Sequence, residues 1–125
     1  MKLMIVDDSN IIRNRVKRVI EQTRLSHFKV VGIAADGKEA ITVFSQTLPD
    51  IVTMDLTMPE MNGVDCTAVL VEMNPDIKIL IISALSDKAT AINALKNGAQ
   101  GFLYKPFTDD ELADALLEIS TEWMT

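Results

Sequence analysis

Five side chains in this sequence could do chemistry together. Asp7 and Asp8 are adjacent in LMIVDDSN, Asp55 stands in VTMDLTMPEMNG, Ser83 in LIISALS and Lys105 in FLYKPF. Two neighbouring carboxylates repel, and taking them out of water is costly unless a cation or a donor compensates. Singly, each residue has an ordinary explanation: a solvated acidic turn for Asp7 and Asp8, a helix cap or loop acid for Asp55, a turn cap for Ser83, a surface amine for Lys105. As a set they fit something else. Hard carboxylate oxygens with room for water suit Mg²⁺. Softer metals favour His or Cys, and the chain has one of each, His27 and Cys66. Lysine is a mobile point charge that can pair with a carboxylate or a phosphoryl oxygen. An aspartate can act as a nucleophile and form an aspartyl-phosphate. A divalent cation and a lysine would offset charge on the transferring oxygens. The chemistry this set supports is acceptance of a phosphoryl group by one carboxylate.

These residues need elements that bring them together. Short apolar runs occur at 3–6 (LMIV), 29–34 (KVVGIA), 50–54 (DIVTM), 77–82 (IKILII) and 101–104 (GFLY), and four of them lead into the five residues. Runs apolar on both faces and rich in Val and Ile suit strands of a parallel sheet. The second run is the most polar at its start, which marks an edge strand. The intervening segments have helical periodicity. Ile12, Val16, Val19 and Ile20 fall on one face, with Ser9 as N-cap. Asp36–Glu39 and Thr108–Glu111 have capping-box spacing, the latter before Leu112, Ala115, Leu116 and Ile119. A third helix is predicted over 63–73, stopped by Asn74-Pro75. A fourth is predicted from about Asp87 to Asn97-Gly98, with Gly98 left-handed. Strict alternation predicts an α/β fold, a parallel sheet with helices on both faces and right-handed crossovers. Such sheets bind ligands beyond the carboxyl ends of their strands. Three carboxylates, a hydroxyl and an amine would therefore meet on one rim.

Composition narrows the function classes. The 125 residues fit one domain, 1–125, and 48% hydrophobic with 24% charged content is globular. The formal net charge of -6 and a pI of about 4.6 argue against direct nucleic-acid binding by this domain. No run approaches the ~20 apolar residues of a membrane span, and MKLMIVDD does not read as a secretion signal, so a cytoplasmic location is expected. A lone cysteine forms no intramolecular disulfide, and Cys66 is read as a small packing residue. Met54, Met58 and Met61 flank the acceptor loop and are read as packing. Trp123 is read either as packing on the last helix or as part of TEWMT leading into a linker.

Asp7-Asp8, DLTMPEMNG, ISA and KPF, each at the end of a predicted strand, resemble the receiver domain of two-component response regulators, a CheY-like superfamily, over essentially the whole chain. The resemblance implies a doubly wound (βα)5 fold, flavodoxin-like, with strand order 2-1-3-4-5. Asp55 would be the phosphoacceptor, served by a sensor histidine kinase, a phosphotransfer protein or a small phosphodonor. Asp7, Asp8, Asp55 and the backbone carbonyl of Thr57 would hold one Mg²⁺. Ser83 would be the switch hydroxyl, Phe102 the switch aromatic, and Lys105 would bind the phosphoryl group. Pro59 and Gly63 would shape the loop after the acceptor, and the Lys105-Pro106 bond is often cis in this family. The fourth helix, fifth strand and fifth helix would form the readout face toward a downstream protein target, an output domain or a homodimer formed on phosphorylation. Ala91, Lys96, Tyr104 and Ala113 are the expected contacts there.

Some positions depart from the family pattern. Phe102 lacks a tyrosine's hydroxyl, which leaves simple core packing as its alternative role. Thr57 and Leu85 stand at positions that tune dephosphorylation, and neither is acidic or amide, so slow self-dephosphorylation is expected. Other functions fit less well. A phosphatase of the haloacid-dehalogenase type would need an acid at position 57. A flavin phosphate would meet repulsion from Asp7 and Asp8. A degenerate docking module would not need the complete set of acids, hydroxyl and lysine.

Overall fold

Alternation along the strands builds the two cores. Leu3 and Ile5 pack to one side and Met4 and Val6 to the other, and Leu80/Ile82 and Ile79/Ile81 divide in the same way. In the computed structural model, which describes residues 1–121 apart from the side chains of Thr23, Leu85 and Thr121, these residues lie in a five-stranded sheet. In chain order the elements are β1 (Lys2–Val6), α1 (Asn10–Ile20), β2 (Lys29–Ala34), α2 (Gly37–Thr47), β3 (Ile51–Asp55) and α3 (Gly63–Met73). There follow β4 (Lys78–Ala84), α4 (Lys88–Lys96), β5 (Gly101–Lys105) and α5 (Asp109–Thr121). All pairings are parallel, in the order β2-β1-β3-β4-β5. This is the CheY-like (βα)5 arrangement that the alternation and the resemblance imply, with β2 at the edge. One core receives Val16 and Val19 from α1 and Leu112 and Leu116 from α5. The other receives Phe44 from α2, Leu70 from α3 and Ala94 from α4.

The helix starts follow their caps. Ser9 Oγ accepts from the Ile12 amide at 3.3 Å. Asp36 accepts from the Glu39 amide at 2.8 Å, while Glu39 reaches back to the amide of Ala35 rather than Asp36, at 3.1 Å. Thr108 and Glu111 form the reciprocal pair, at 3.1 and 2.9 Å. Gly98 has φ 118°, the conformation expected after α4. Leu48 ends α2 at φ 49° without a glycine, which its sequence did not signal.

Two expected partner contacts are corrected. Ala91 and Ala113 are buried, because the helical period turns them, with Ala94 and Leu112, into the cores. Lys96 is exposed and Tyr104 half-buried, and Ile92 and Phe102 are the large apolar residues that this region exposes. Phe102, at 38% exposure, is not a core residue. Met54 and Met58 are buried and Met61 packs against the core, as expected. Cys66 is also buried, and burial pushes its thiol up to about 12, which keeps it protonated. Trp123 lies outside the described residues. Among those described, no helix is long and apolar enough to cross a membrane.

Thr108→Ala removes the hydroxyl that caps α5, and is expected to cost about 1 kcal/mol of stability in urea unfolding, whereas Thr108→Asp retains most of it.

Candidate functional site

The strand order sets the site. β1 and β3 are neighbours at the centre of the sheet, in a register that pairs Val6 with Met54. Asp7, one residue on, therefore stands beside Asp55. β4 and β5 follow on the same side, with Ser83 opposite Tyr104 and Ala84 opposite Lys105. Lys105 Nζ lies 3.2 Å from Asp55 Oδ1 and 3.4 Å from Asp7 Oδ2. One carboxylate oxygen from each of Asp7, Asp8 and Asp55 lies within 4.8 Å of the others. Asp7 and Asp55 are buried and Asp8 is exposed. The three acids and the lysine predicted to meet do meet.

The turn carrying the first two acids is tightly held. The Asp7 amide donates to Ala34 O at 3.1 Å, continuing the ladder to β2. Asp7 Oδ1 accepts from the Ser9 amide at 2.8 Å. The Asp7 carbonyl accepts from Arg13 Nη1 at 2.7 Å, and Arg13 Nη2 donates to Asn10 Oδ1 at 3.2 Å.

Burial and like charge dominate the electrostatics. Burial pushes the Asp55 carboxyl up to about 6 and the Asp7 charge adds to this, while Lys105 opposes both. Asp7 is also raised, again chiefly by burial, against the Ser9 amide and Lys105. Burial alone would lower the Lys105 amine, but the charges of Asp55 and Asp7 outweigh it and hold the amine above its ordinary value. One ammonium thus serves two buried carboxylates, with a third acid at hand. An all-oxygen donor set with excess negative charge is what a hydrated Mg²⁺ requires, so the residues fit that ion.

Ser83 is buried at the rim end of β4, and among the described residues its Oγ has no hydrogen-bond partner. Thr57 is exposed, and its hydroxyl donates to Asp87 Oδ2 at 3.4 Å. Leu85 lies in a short 3-10 turn, its side chain outside the description. Gly63 opens α3 directly against β3, where an added Cβ would fall 2.1 Å from the Asp55 carbonyl oxygen. Its amide closes the loop on Leu56 O at 2.9 Å, and Pro59 O accepts from Met61 within that loop. The Lys105-Pro106 bond is cis. Phe102 lies on β5 three positions before Lys105, edge-on to Tyr104 with 5.0 Å between ring centroids. His27 packs against Phe28 in the turn before β2, ring centroids 4.2 Å apart and planes tilted by 40°, and is not among the rim residues. A surface hollow lined by Met1, Asp50, Asn74 and Lys78 opens at the opposite end of the sheet and holds none of these groups.

Two residues near the acids were not foreseen. Asp87 occupies the N-cap position of α4 without capping it and turns to Thr57 instead. Nothing in its local sequence separates it from an ordinary cap. Arg13 did carry a signal, since a cation near a helix start opposes the helix dipole and suggests a specific partner.

Comparison with known proteins agrees with this geometry. The family model described as "Response regulator receiver domain" matches residues 3–117. The chemotaxis protein CheY of Thermotoga maritima is 39% identical over 119 residues, covering 95% of this chain and 97% of that protein. The crystal structure of the response regulator domain of Thermotoga maritima CheB is 33% identical with a TM-score of 0.82, covering 100% of this chain and 97% of that one. A CheX-CheY-BeF3-Mg²⁺ complex from Borrelia burgdorferi contains a chain 27% identical with a TM-score of 0.81, covering 100% of this chain and 90% of that one.

The crowded acids set a pH dependence. A folded-state value near 6 for Asp55, against an ordinary 3.8, means that its contribution to stability is fully present below about pH 3.8 and is lost as pH rises through about 6. In metal-free buffer, Asp55→Asn is expected to stabilise the protein at pH 7 by on the order of 1–3 kcal/mol. The gain should vanish near pH 4. Thermal unfolding of both proteins at the two pH values checks this.

Proposed function

This chain belongs to the response regulator receiver domain family, the signalling switches of two-component systems, and from that premise we propose that Asp55 is its phosphoacceptor. The observation that carries this is the bridge from Lys105 to Asp55 and Asp7 beside a third carboxylate. We read residues 1–125 as a single receiver domain, acting as a switch whose only chemistry is gain and loss of phosphate. An Asp55 carboxylate oxygen bonds to phosphorus as the phosphorus–nitrogen bond of a phosphohistidine breaks. The donor is a sensor histidine kinase or a phosphotransfer protein. Lys105 then pairs with a phosphoryl oxygen, and the Ser83 hydroxyl, left without a partner, donates to another. Asp7, Asp8, Asp55 and the Thr57 carbonyl would hold Mg²⁺, which offsets charge on the phosphoryl oxygens when bound. The Borrelia burgdorferi complex, with BeF3 and Mg²⁺ in its composition, supports this for a related chain.

Phosphorylation adds negative charge where like charge is already crowded, and such a change biases a two-state element. The output is the face of α4, β5 and α5, where Phe102, Tyr104 and Lys96 meet a downstream protein, an output domain or a second copy of the chain. Phe102 acts there as the switch aromatic through its ring alone. Loss of phosphate is slow, because Thr57 and Leu85 offer no acid or amide to orient water.

Incubation with acetyl phosphate and Mg²⁺, read by intact mass, tests the assignment. One phosphoryl group should appear on wild type, require the metal and be absent from Asp55→Asn. An adduct that persists on Asp55→Asn would move the acceptor elsewhere. After removal of the donor, with Mg²⁺ retained, the adduct should outlast several minutes, and decay within seconds would refute slow hydrolysis.

A further inference from the structure

We propose that Arg13 is a positioning residue for the cation site: it clamps the peptide unit joining Asp7 to Asp8 and so makes the rim selective for small, octahedral Mg²⁺ over larger Ca²⁺. This rests on the assignment of Asp7 and Asp8 as metal ligands. Asp7 is fixed by its own contacts, through its amide to Ala34 and its carboxylate to Ser9 and Lys105. Asp8 is exposed, and among the described residues its carboxylate takes no hydrogen bond or ion pair. The direction in which Asp8 projects is therefore set by backbone alone. The link between the two acids is one peptide plane, whose carbonyl oxygen belongs to Asp7. That oxygen is the one Arg13 Nη1 holds at 2.7 Å.

An arginine suits this task better than a lysine. Its planar fork uses a second nitrogen on Asn10 Oδ1 at 3.2 Å, so the guanidinium is itself oriented. The position is otherwise unfavourable. It lies one residue beyond a first turn that contains no acid, where the helix dipole disfavours a cation. Capping by Ser9 does not require it. What the arginine gains locally is the Asp7 carbonyl and the asparagine.

Charge and clamping predict opposite outcomes. Removing a cation beside an acidic rim should, by charge alone, tighten any divalent ion. Removing the clamp frees Asp8 to turn away from Asp7 and Asp55. Mg²⁺ demands near-ideal octahedral geometry, whereas Ca²⁺ accepts flexible coordination, so loss of the clamp falls mainly on Mg²⁺.

The experiment is calorimetric titration of MgCl2 and of CaCl2 into the full chain, as wild type, Arg13→Met and Arg13→Lys, with urea unfolding of each. For Arg13→Met the Mg²⁺ Kd should rise about tenfold, as for loss of a partner that orients a ligand. The Ca²⁺ Kd should change much less, and Arg13→Lys should fall between. Unchanged or tighter Mg²⁺ binding in Arg13→Met overturns the proposal, as does equal weakening of both ions. If Arg13→Met does not fold, Arg13→Lys decides the matter through the same ratio of Mg²⁺ to Ca²⁺ affinity. Wild type that binds neither ion would instead overturn the metal assignment, and this inference with it.

Discussion

Crowding of like charge at one end of the sheet is the constraint on which the rest of this structure depends. Asp7 and Asp55 are buried beside each other with Asp8 adjacent, and one ammonium, Lys105, bridges the first two. Such a cluster does not favour the fold at neutral pH, as the raised values of both buried acids indicate. Leaving charge uncompensated in a buried place is among the costlier arrangements a protein can hold. It persists because two well-packed cores over-determine the positions of the strand ends. A site kept short of positive charge is also one that responds strongly to a cation or to a further anion.

Topology produces this crowding without any long-range device. Consecutive strands β1 and β2 pair, and the chain then crosses β1 to place β3 on its other side. The two acid-bearing ends become neighbours, though 48 positions separate Asp7 from Asp55. Growth of the sheet continues through β4 and β5, so Ser83 and Lys105 arrive at the same rim. Close packing sets the remaining requirement. α3 begins so near the end of β3 that its first residue has no room for a side chain, which is the physical reason for Gly63.

Much of this was legible in the residues. Apolar runs gave the strands, and periodicity with Ser9, Asp36 and Thr108 gave the starts of α1, α2 and α5. The acid ends of two runs gave the core of the site. Strand order was not legible from periodicity, because alternation fixes a parallel sheet but not which neighbours pair; the motifs supplied it by resemblance. Ala91 and Ala113 were expected on the readout face because alanine is compatible with either face, but the helical period puts them inward with Ala94 and Leu112. Asp87 has no sequence signal, because its partner, a threonine hydroxyl, leaves no trace in spacing. Arg13 carries one only as a cation close to a helix start, and its partner, a backbone carbonyl, is visible only in the structure.

Register links the rim to the far side of β5. Ser83 faces Tyr104 in the ladder, and Tyr104 meets Phe102 edge-on. Ser83 is buried, and among the described residues its hydroxyl has no hydrogen-bond partner. An anionic oxygen on Asp55 would offer that hydroxyl a partner, and drawing it rimward would strain its pairing with β5. Phe102 is already exposed at 38%, so a shift of the strand would change what the aromatic pair presents. No tyrosine hydroxyl at position 102 is needed for this route. In the proposed switch, the coupling would be steric and run through the ladder, and the trigger would be electrostatic and stay at the acids.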